Sequence, residues 1–338
     1  MAATLADVAR EAGVDVSTVS RVLRDDKAQR VSAQTRRRIL AVVEELDYRP
    51  NAVARALRLA QSRTFGVVVP QLDNPVFAEI IAGAEQASTE LGYSLLISHR
   101  TRSADDSDVF RRMVSSNRVD GLLVVSFDDD QQLIEDFRGV DVPIVMTNRR
   151  IDAFGNCVVQ NGYKAAQIAT NHLIDLGHTR IAHLAGRSGG FNARLRWDGY
   201  RDALVARGVP YDETLVRSVG YAAEDAALAT RDLVANTALR PTAIFAATFL
   251  TAAGAMRTLH EMQIAMPADI SVVGIHDAEF ASILYPPLTT VRMPNREMGR
   301  CAAKILSDLL LGKKVDGQVM LEPEKLVLRE STAACRPR

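Results

Sequence analysis

The chain has 338 residues, more than one small core can organise and enough for two or three compact units. Hydrophobic residues make up 47% and charged residues 24%, a composition that excludes general disorder. The formal net charge of zero hides an asymmetry: residues 1–63 carry twelve Lys or Arg against eight Asp or Glu, a basic terminal module of +4 on a body of −4.

The first elements in chain order are short helices. Leu5, Val8, Ala9 and Ala12 repeat at helical spacing behind Thr4, which is placed as an N-cap. Gly13 suits the positive φ that ends such a helix. Asp15 is then placed to cap a second helix over 16–23, with Val19, Val22 and Leu23 inward. Two short helices joined by a tight Gly-containing turn are the sequence image of a helix-turn-helix. A third helix over about 32–46 is expected to bury Ile39, Leu40, Val43 and Leu46. An ordinary small helical bundle would share this spacing. Three stretches go further: LADVAREAGVDVSTVSRVL at 5–23, VSAQTR at 31–36 and LDYRPNAVARAL at 46–57. Together they closely resemble the DNA-binding head of the LacI/GalR family of transcriptional regulators.

The resemblance implies that the second helix enters the major groove, where its first turns meet base edges. The readout positions hold Val16 and Ser17, with Arg21 one turn on. Arg21 can donate two hydrogen bonds to guanine, Val16 offers apolar contact to a thymine methyl, Thr18 and Ser20 suit phosphate oxygens, and Thr4 is also expected among the DNA-binding residues. Arg36 or Arg38 could add to that positioning. The family usually has Ser or Thr where Asp15 stands; Asp still caps the helix but brings a negative charge near DNA. Residues 50–57 resemble the family's hinge helix, too short to be stable alone in water. There Leu57 is the implied minor-groove wedge, Asn51 and Ala54 match the hinge, and Arg55 and Arg58 lie near phosphates or base edges.

After Arg63 the pattern changes to alternating strands and helices, the signature of parallel βα sheets. Strands are expected at 65–70, 93–98, 121–126 and 143–147, with a helix over 75–91. A second series starts near Cys157: helix 162–176, strand 181–185, helix 196–207, strand 243–247, helix 252–262 and strand 271–275. The family resemblance continues through DNPVF at 73–77, RVDGL at 118–122, LGHTRI at 176–181, RWDGY at 196–200, DISVVG at 269–274 and PLTT at 287–290. The implied fold class is an all-α helix-turn-helix head plus an α/β body of two doubly wound parallel-sheet subdomains, periplasmic-binding-protein-like. The expected organisation is a head over 1–49, a hinge and linker over 50–63, a body over 64–331 and a tail over 332–338. Within the body, one half takes about 64–156 and 292–323, the other about 157–291 and 324–331.

Such sheets bind ligands at the carboxyl ends of their strands. The resemblance places Arg196 at the start of a helix, pointing at ligand hydroxyls or carboxylates, a task suited to its permanent charge and fork of donors. Asp73, Asn74 and Phe77 would line the opposite wall, and Asn148 takes a place often held by Asp. Three positions depart from the family pattern: Thr248-Phe249 where many members have Asn-Asp, His276 where many have an acid, and Gln160 in place of a common Asp. Losing carboxylates while keeping Arg196 weakens the case for a neutral sugar. It favours a ligand with its own negative charge or a larger apolar part, such as a sugar acid, sugar phosphate or small carboxylate.

Other functions lack support in the sequence. No G-x-G-x-x-G follows the first strand and no G-x-x-x-x-G-K-[ST] occurs, so nucleotide-dependent catalysis is not expected. The cysteines, Cys157, Cys301 and Cys335, are scattered and the histidines share no ligand spacing, so neither a metal, another cofactor nor a disulfide framework is expected. The first twenty residues lack the apolar core of a secretory signal, and no apolar run approaches the roughly 20 residues that cross a bilayer. The expectation is a cytoplasmic repressor without a membrane partner. Its partners would be pseudo-palindromic double-stranded operator DNA, a small-molecule effector and a second copy of the chain. No leucine heptad marks the last residues, which favours a dimer over a tetramer. The alternative is a solute-binding protein of the periplasmic sugar-binding type.

Overall fold

The structure is a computed structural model and describes residues 3–23, 31–48, 61–100, 112–114, 117–126, 130–235 and 240–336. By internal contacts the chain divides into two units, Met1–Ser62 and Arg63–Arg338.

In the first unit, α1 (Leu5–Glu11), α2 (Val16–Leu23) and α3 (Ala33–Glu45) enclose a small core of Val8, Ala9, Ala12, Val19, Val22, Ile39 and Val42. Thr4 starts α1 through a reciprocal capping box: its side chain accepts from Asp7 N at 3.3 Å, and Thr4 N donates to Asp7 Oδ2 at 3.0 Å. Gly13 turns the chain with φ +60°. Asp15 Oδ1 then accepts from Ser17 N at 2.8 Å at the start of α2. One expected core residue of α3 is not there: Leu40 is 43% exposed, and Val42 is buried instead. Ile39 faces α1 and α2, and Val42, three residues on, shares its face; Leu40 is turned about 100° away.

The second unit contains two sheets. The first is wholly parallel, in the order β11-β5-β4-β3-β1-β2. Its strands are β1 (Thr64–Val69), β2 (Ser94–His99), β3 (Gly121–Val124), β4 (Ile144–Thr147), β5 (Cys157–Gln160) and β11 (Gln318–Leu321). The second, ordered β12-β10-β9-β8-β6-β7, is parallel except for its last strand. It holds β6 (Ile181–Ala185), β7 (Val216–Ser218), β8 (Ala243–Ala246), β9 (Ser271–Ile275), β10 (Thr289–Arg292) and β12 (Lys325–Val327). Strands β1, β3, β5, β6, β8 and β9 read as nearly unbroken apolar runs because helices cover both faces.

Those helices are α4 (Pro75–Glu90), α5 (Asp130–Asp136), α6 (Gly162–Asp175), α7 (Phe191–Ala206), α8 (Ala223–Ala235), α9 (Phe249–Glu261) and α10 (Asn295–Leu310). Pair α4–α10 packs backbone to backbone. A Cβ on Gly83 would lie 1.9 Å from the Arg296 carbonyl oxygen, and one on Gly299 would lie 2.0 Å from that of Ile80. Among the described residues no helix is long and apolar enough to cross a membrane.

Four differences from the sequence reading matter for the site. Residues 157–160 form β5 of the first sheet, so the chain passes to the second half only after Gln160, and Arg292 still belongs to the second sheet. Helix α7 begins at Phe191, five residues before Arg196. Helix α9 begins at Phe249, not Ala252, with Thr248 as its cap. Residues read as a tail pack on the second half: Ala333 N donates to Ser271 Oγ at 3.1 Å and Cys335 N to the Leu176 carbonyl at 2.7 Å.

Candidate functional site

In the first unit, α2 separates its faces cleanly. Val19 and Val22 are buried, while Val16 is 41% exposed, Ser17 is exposed, and Thr18, Ser20 and Arg21 are half-buried. The exposed face therefore carries side chains for a groove: an apolar contact, hydroxyls and a guanidinium fork. Hydrogen bonding from Ser17, first through its side chain and then its backbone, with help from the charge of Arg21, keeps the Asp15 carboxylate below its usual range. Asp15 therefore stays an anionic helix cap. Thr4 is exposed but already engaged, its hydroxyl donating to Asp7 Oδ2 at 2.6 Å. Asn51, Ala54, Arg55, Leu57 and Arg58 lie outside the described residues.

In the second unit, the strand ends of both sheets open on one cleft. Its inner part, about 390 Å³, is lined from the first half by Asn74, Val76, Phe77 and Asn148. From the second half come Asn192, Arg196, Tyr221, Thr248, Phe249, Leu250 and His276. Asn148, Asn192 and Tyr221 also line an outer part of about 890 Å³, with Ser126, Asp130, Arg149, Arg187 and the 188–191 turn.

Local chemistry places each group. Asn74 caps α4 through a bond from Val76 N at 3.1 Å, which sets Phe77 on its first turn against the cleft. Thr248 caps α9 reciprocally with Thr251 and so brings Phe249 and Leu250 to the wall. Asn148 and His276 follow β4 and β9 with φ of +64° and +71°, a left-handed conformation uncommon for side-chain-bearing residues and frequent at functional sites. Asn192 Nδ2 donates to the Asn148 carbonyl at 2.7 Å, joining the two walls.

Behind the wall runs a buried polar network. Arg196, 3% exposed, donates through Nη2 to His276 Nε2 at 2.9 Å. A guanidinium has no acceptor, so His276 must keep its lone pair on Nε2 and its proton on Nδ1. That proton goes to Asn295 Oδ1, 3.2 Å away. Gln160 Nε2 donates to the same oxygen at 2.9 Å, and Asn295 Nδ2 donates to Glu79 Oε2 at 2.9 Å. Burial first, then the charge of Arg196, hold the His276 pKa far below its ordinary value, and the ring is neutral.

Seven of the nine residues expected at the ligand line the inner cleft: Asn74, Phe77, Asn148, Arg196, Thr248, Phe249 and His276. Gln160 sits behind it in the network at the crossing between halves, and Asp73 is exposed outside it. Sequence reasoning missed Asn192, Tyr221, Arg149, Arg187 and Asn295. Asn192 would have been found had α7 been started at the Gly189-Gly190 break. Tyr221 follows a three-residue strand too short to register, and Asn295 carries no local signal because its partners are distant in sequence.

A helix-turn-helix unit joined in one chain to a two-sheet body with an interdomain cleft defines a ligand-responsive DNA-binding regulator. Comparison with known proteins agrees over nearly the whole chain. Residues 4–51 match the model of bacterial regulatory proteins of the lacI family, and 170–332 match that of a periplasmic binding protein-like domain. The HTH-type transcriptional repressor PurR of Photobacterium profundum is 34% identical over 97% of this chain and 98% of its own length. The ribose operon repressor of Escherichia coli is 35% identical over 90% of this chain and 92% of its own. In three dimensions, a lac repressor dimer bound to operator and the anti-inducer ONPF superposes with a TM-score of 0.85 at 33% identity, covering 99% of this chain and all of that one. The chain belongs to the LacI family: it is a DNA-binding transcriptional repressor with an effector-binding, periplasmic-binding-protein-like domain.

Proposed function

We propose that this repressor works as a homodimer in the cytoplasm, on a pseudo-palindromic operator, under the control of one small molecule bound between the two halves of its body without chemical change. The observation that carries the effector reading is the inner cleft itself. Two chain segments of one half and four of the other meet there, and cap residues of α4 and α9 bring Phe77 and Phe249 to its walls. An effector that prefers one arrangement of the halves shifts the repressor toward that state by its difference in affinity, and DNA affinity follows by linkage.

On DNA, Arg21 reads a guanine edge, Val16 and Ser17 touch neighbouring bases, and Thr18 and Ser20 serve phosphates. In the hinge, Leu57 is the wedge, seated by Asn51 and Ala54, with Arg55 and Arg58 on the backbone. Self-association is supported by an exposed apolar group on the second half: Phe280, Ile283 and Tyr285 are 57%, 74% and 89% exposed.

Genomic footprinting of the full chain with and without a metabolite panel tests the scheme. The expected result is protected palindromic sites whose occupancy changes with one class of metabolite. In Asn148→Ala and Phe249→Ala chains the sites stay protected but the metabolite response is lost. Unchanged responses in both variants would remove the effector from this cleft.

A further inference from the structure

The inner cleft has an unmet charge. Arg196 is buried, and its Nη2 partner is a neutral imidazole. Its Nε has no hydrogen-bond partner, and among the described residues no carboxylate pairs with it. None of the eleven residues lining the inner cleft is Asp or Glu. The nearest acids are committed elsewhere. Asp277, next to His276, is turned away to Arg292, Arg329 and Thr290. Glu79 is held beyond Asn295, and Asp130 is paired with Arg149 at the outer part. A buried cation without a counter-charge is costly, and a guanidinium does not escape the cost by losing its proton.

The surroundings add to the positive potential. Helices α4, α7 and α9 all begin at this cleft, with Asn74, Asn192 and Thr248 from their caps or first turns in its wall. The positive ends of their helix dipoles favour a negative group. Size of charge can be read as well. His276 cannot join Arg196 as a second cation, because its Nε2 lone pair is taken up by the arginine. The inner cleft therefore holds one fixed positive charge, matched by one negative charge. Val76, Phe77, Phe249 and Leu250 give the wall an apolar part, beside its amide and hydroxyl side chains.

We infer that the effector is a monocarboxylate, its carboxylate seated on Arg196 and its carbon body lying between Phe77 and Phe249. This rests on the effector reading of the cleft and names the ligand's class. A planar carboxylate accepts two parallel bonds from the guanidinium fork, which a hydroxyl cannot do. A phosphate dianion would bring a second negative charge for which no second cationic side chain lines the inner cleft.

Thermal unfolding of the full chain decides the matter. Acetate, benzoate and gluconate are each compared at 20 mM with sodium chloride of equal ionic strength, alongside inorganic phosphate and the neutral sugars glucose and ribose. At least one carboxylate is expected to raise the melting temperature by about 2–4 °C, as ligand binding to the native state alone does, while phosphate and the sugars do not. Arg196→Met should lose that shift, and Arg196→Lys, which keeps the charge but not the fork, should keep less than half of it. If Arg196→Met does not fold, the selectivity of the native chain and the Arg196→Lys response still decide. No carboxylate shift, a phosphate shift larger than any carboxylate's, or a shift equal in the native and Arg196→Lys chains overturns the inference. A sugar shift that survives in Arg196→Lys but vanishes in Phe249→Ala overturns the carboxylate alone and leaves the cleft as the effector site.

Discussion

His183 occupies the middle of β6 at 0% exposure, its ring stacked 4.4 Å from Phe245 and 5.0 Å from Tyr200. Nδ1 has the Phe245 carbonyl at 3.0 Å, and Nε2 has no partner. Burial lowers its pKa to about 4. As pH falls through the ordinary histidine range, the unfolded chain therefore takes up a proton that the folded chain refuses. Stability supported by neutral His183 is complete above about pH 6.5, declines toward pH 4, and falls no further once the folded state also protonates. The loss over that window is on the order of 3 kcal/mol. His183→Phe keeps the stacking and gives up one hydrogen bond, about 1 kcal/mol. Urea unfolding of the body at pH 7 and pH 4.5 is expected to show a smaller drop in the variant. The drop persists in part because His276 is also held neutral. Asp277 acts at lower pH. Burial would raise its pKa, but bonds from Thr290, Arg292 and Arg329 outweigh that and hold it below its ordinary value. Its contribution is present above the usual carboxylate range and lost as pH falls below that range through the lowered folded value, so Asp277→Asn should shift the acid-unfolding midpoint upward.

Among the elements, the close pair α4 and α10 is the most exacting. Gly83 and Gly299 let the two backbones touch, and a methyl at either meets a carbonyl oxygen, which does not yield as a side-chain end would. Gly83→Ala should cost about 1–3 kcal/mol in urea unfolding, whereas the same change at exposed Gly92, set at φ +78°, acts through backbone strain alone. In the head, Val19 is fully buried between the three helices. Val19→Ala should destabilise this small unit by roughly 1–3 kcal/mol and weaken operator and nonspecific DNA alike. By contrast, Arg21→Ala should cost about 1–3 kcal/mol on the operator only and relax specificity at one base pair. Binding measured on both DNAs separates the two effects.

At the scale of the whole molecule, the three segments that cross between the halves of the body are bonded to one another. Gln160 reaches Asn295, Asn161 Nδ2 reaches Glu322 Oε1 at 2.9 Å, and Glu324 N reaches the Arg292 carbonyl at 2.9 Å. A repressor built this way is read out through its DNA affinity. Operator binding should fall steeply with salt, since several phosphate contacts release counterions. Leu57→Ala should cost affinity on the operator far more than on nonspecific DNA, and equal losses on both would show that Leu57 is not a wedge.

The sequence alone determined what depends on local rules and on continuous motifs. Helical spacing, the Thr4 and Asp15 caps and the Gly13 turn define the head, because capping and turn chemistry act over a few residues. Apolar runs placed most central strands, because strands covered on both faces read as hydrophobic throughout. Arg196, Phe77 and His276 were legible as cleft candidates from their motif contexts. Tertiary structure decided the rest. It put 157–160 in the first sheet, since a strand of four residues gains its identity only from β4 and β11 beside it. It exposed Leu40 and buried Val42, since the partner helices select which side of α3 is inward. It also joined Arg196 to His276, eighty residues on, and His276 to Asn295 and Gln160. Hydrogen bonds between distant residues leave no periodic trace in a chain, so the neutral histidine and the unmatched arginine charge emerge only when the strands are folded side by side.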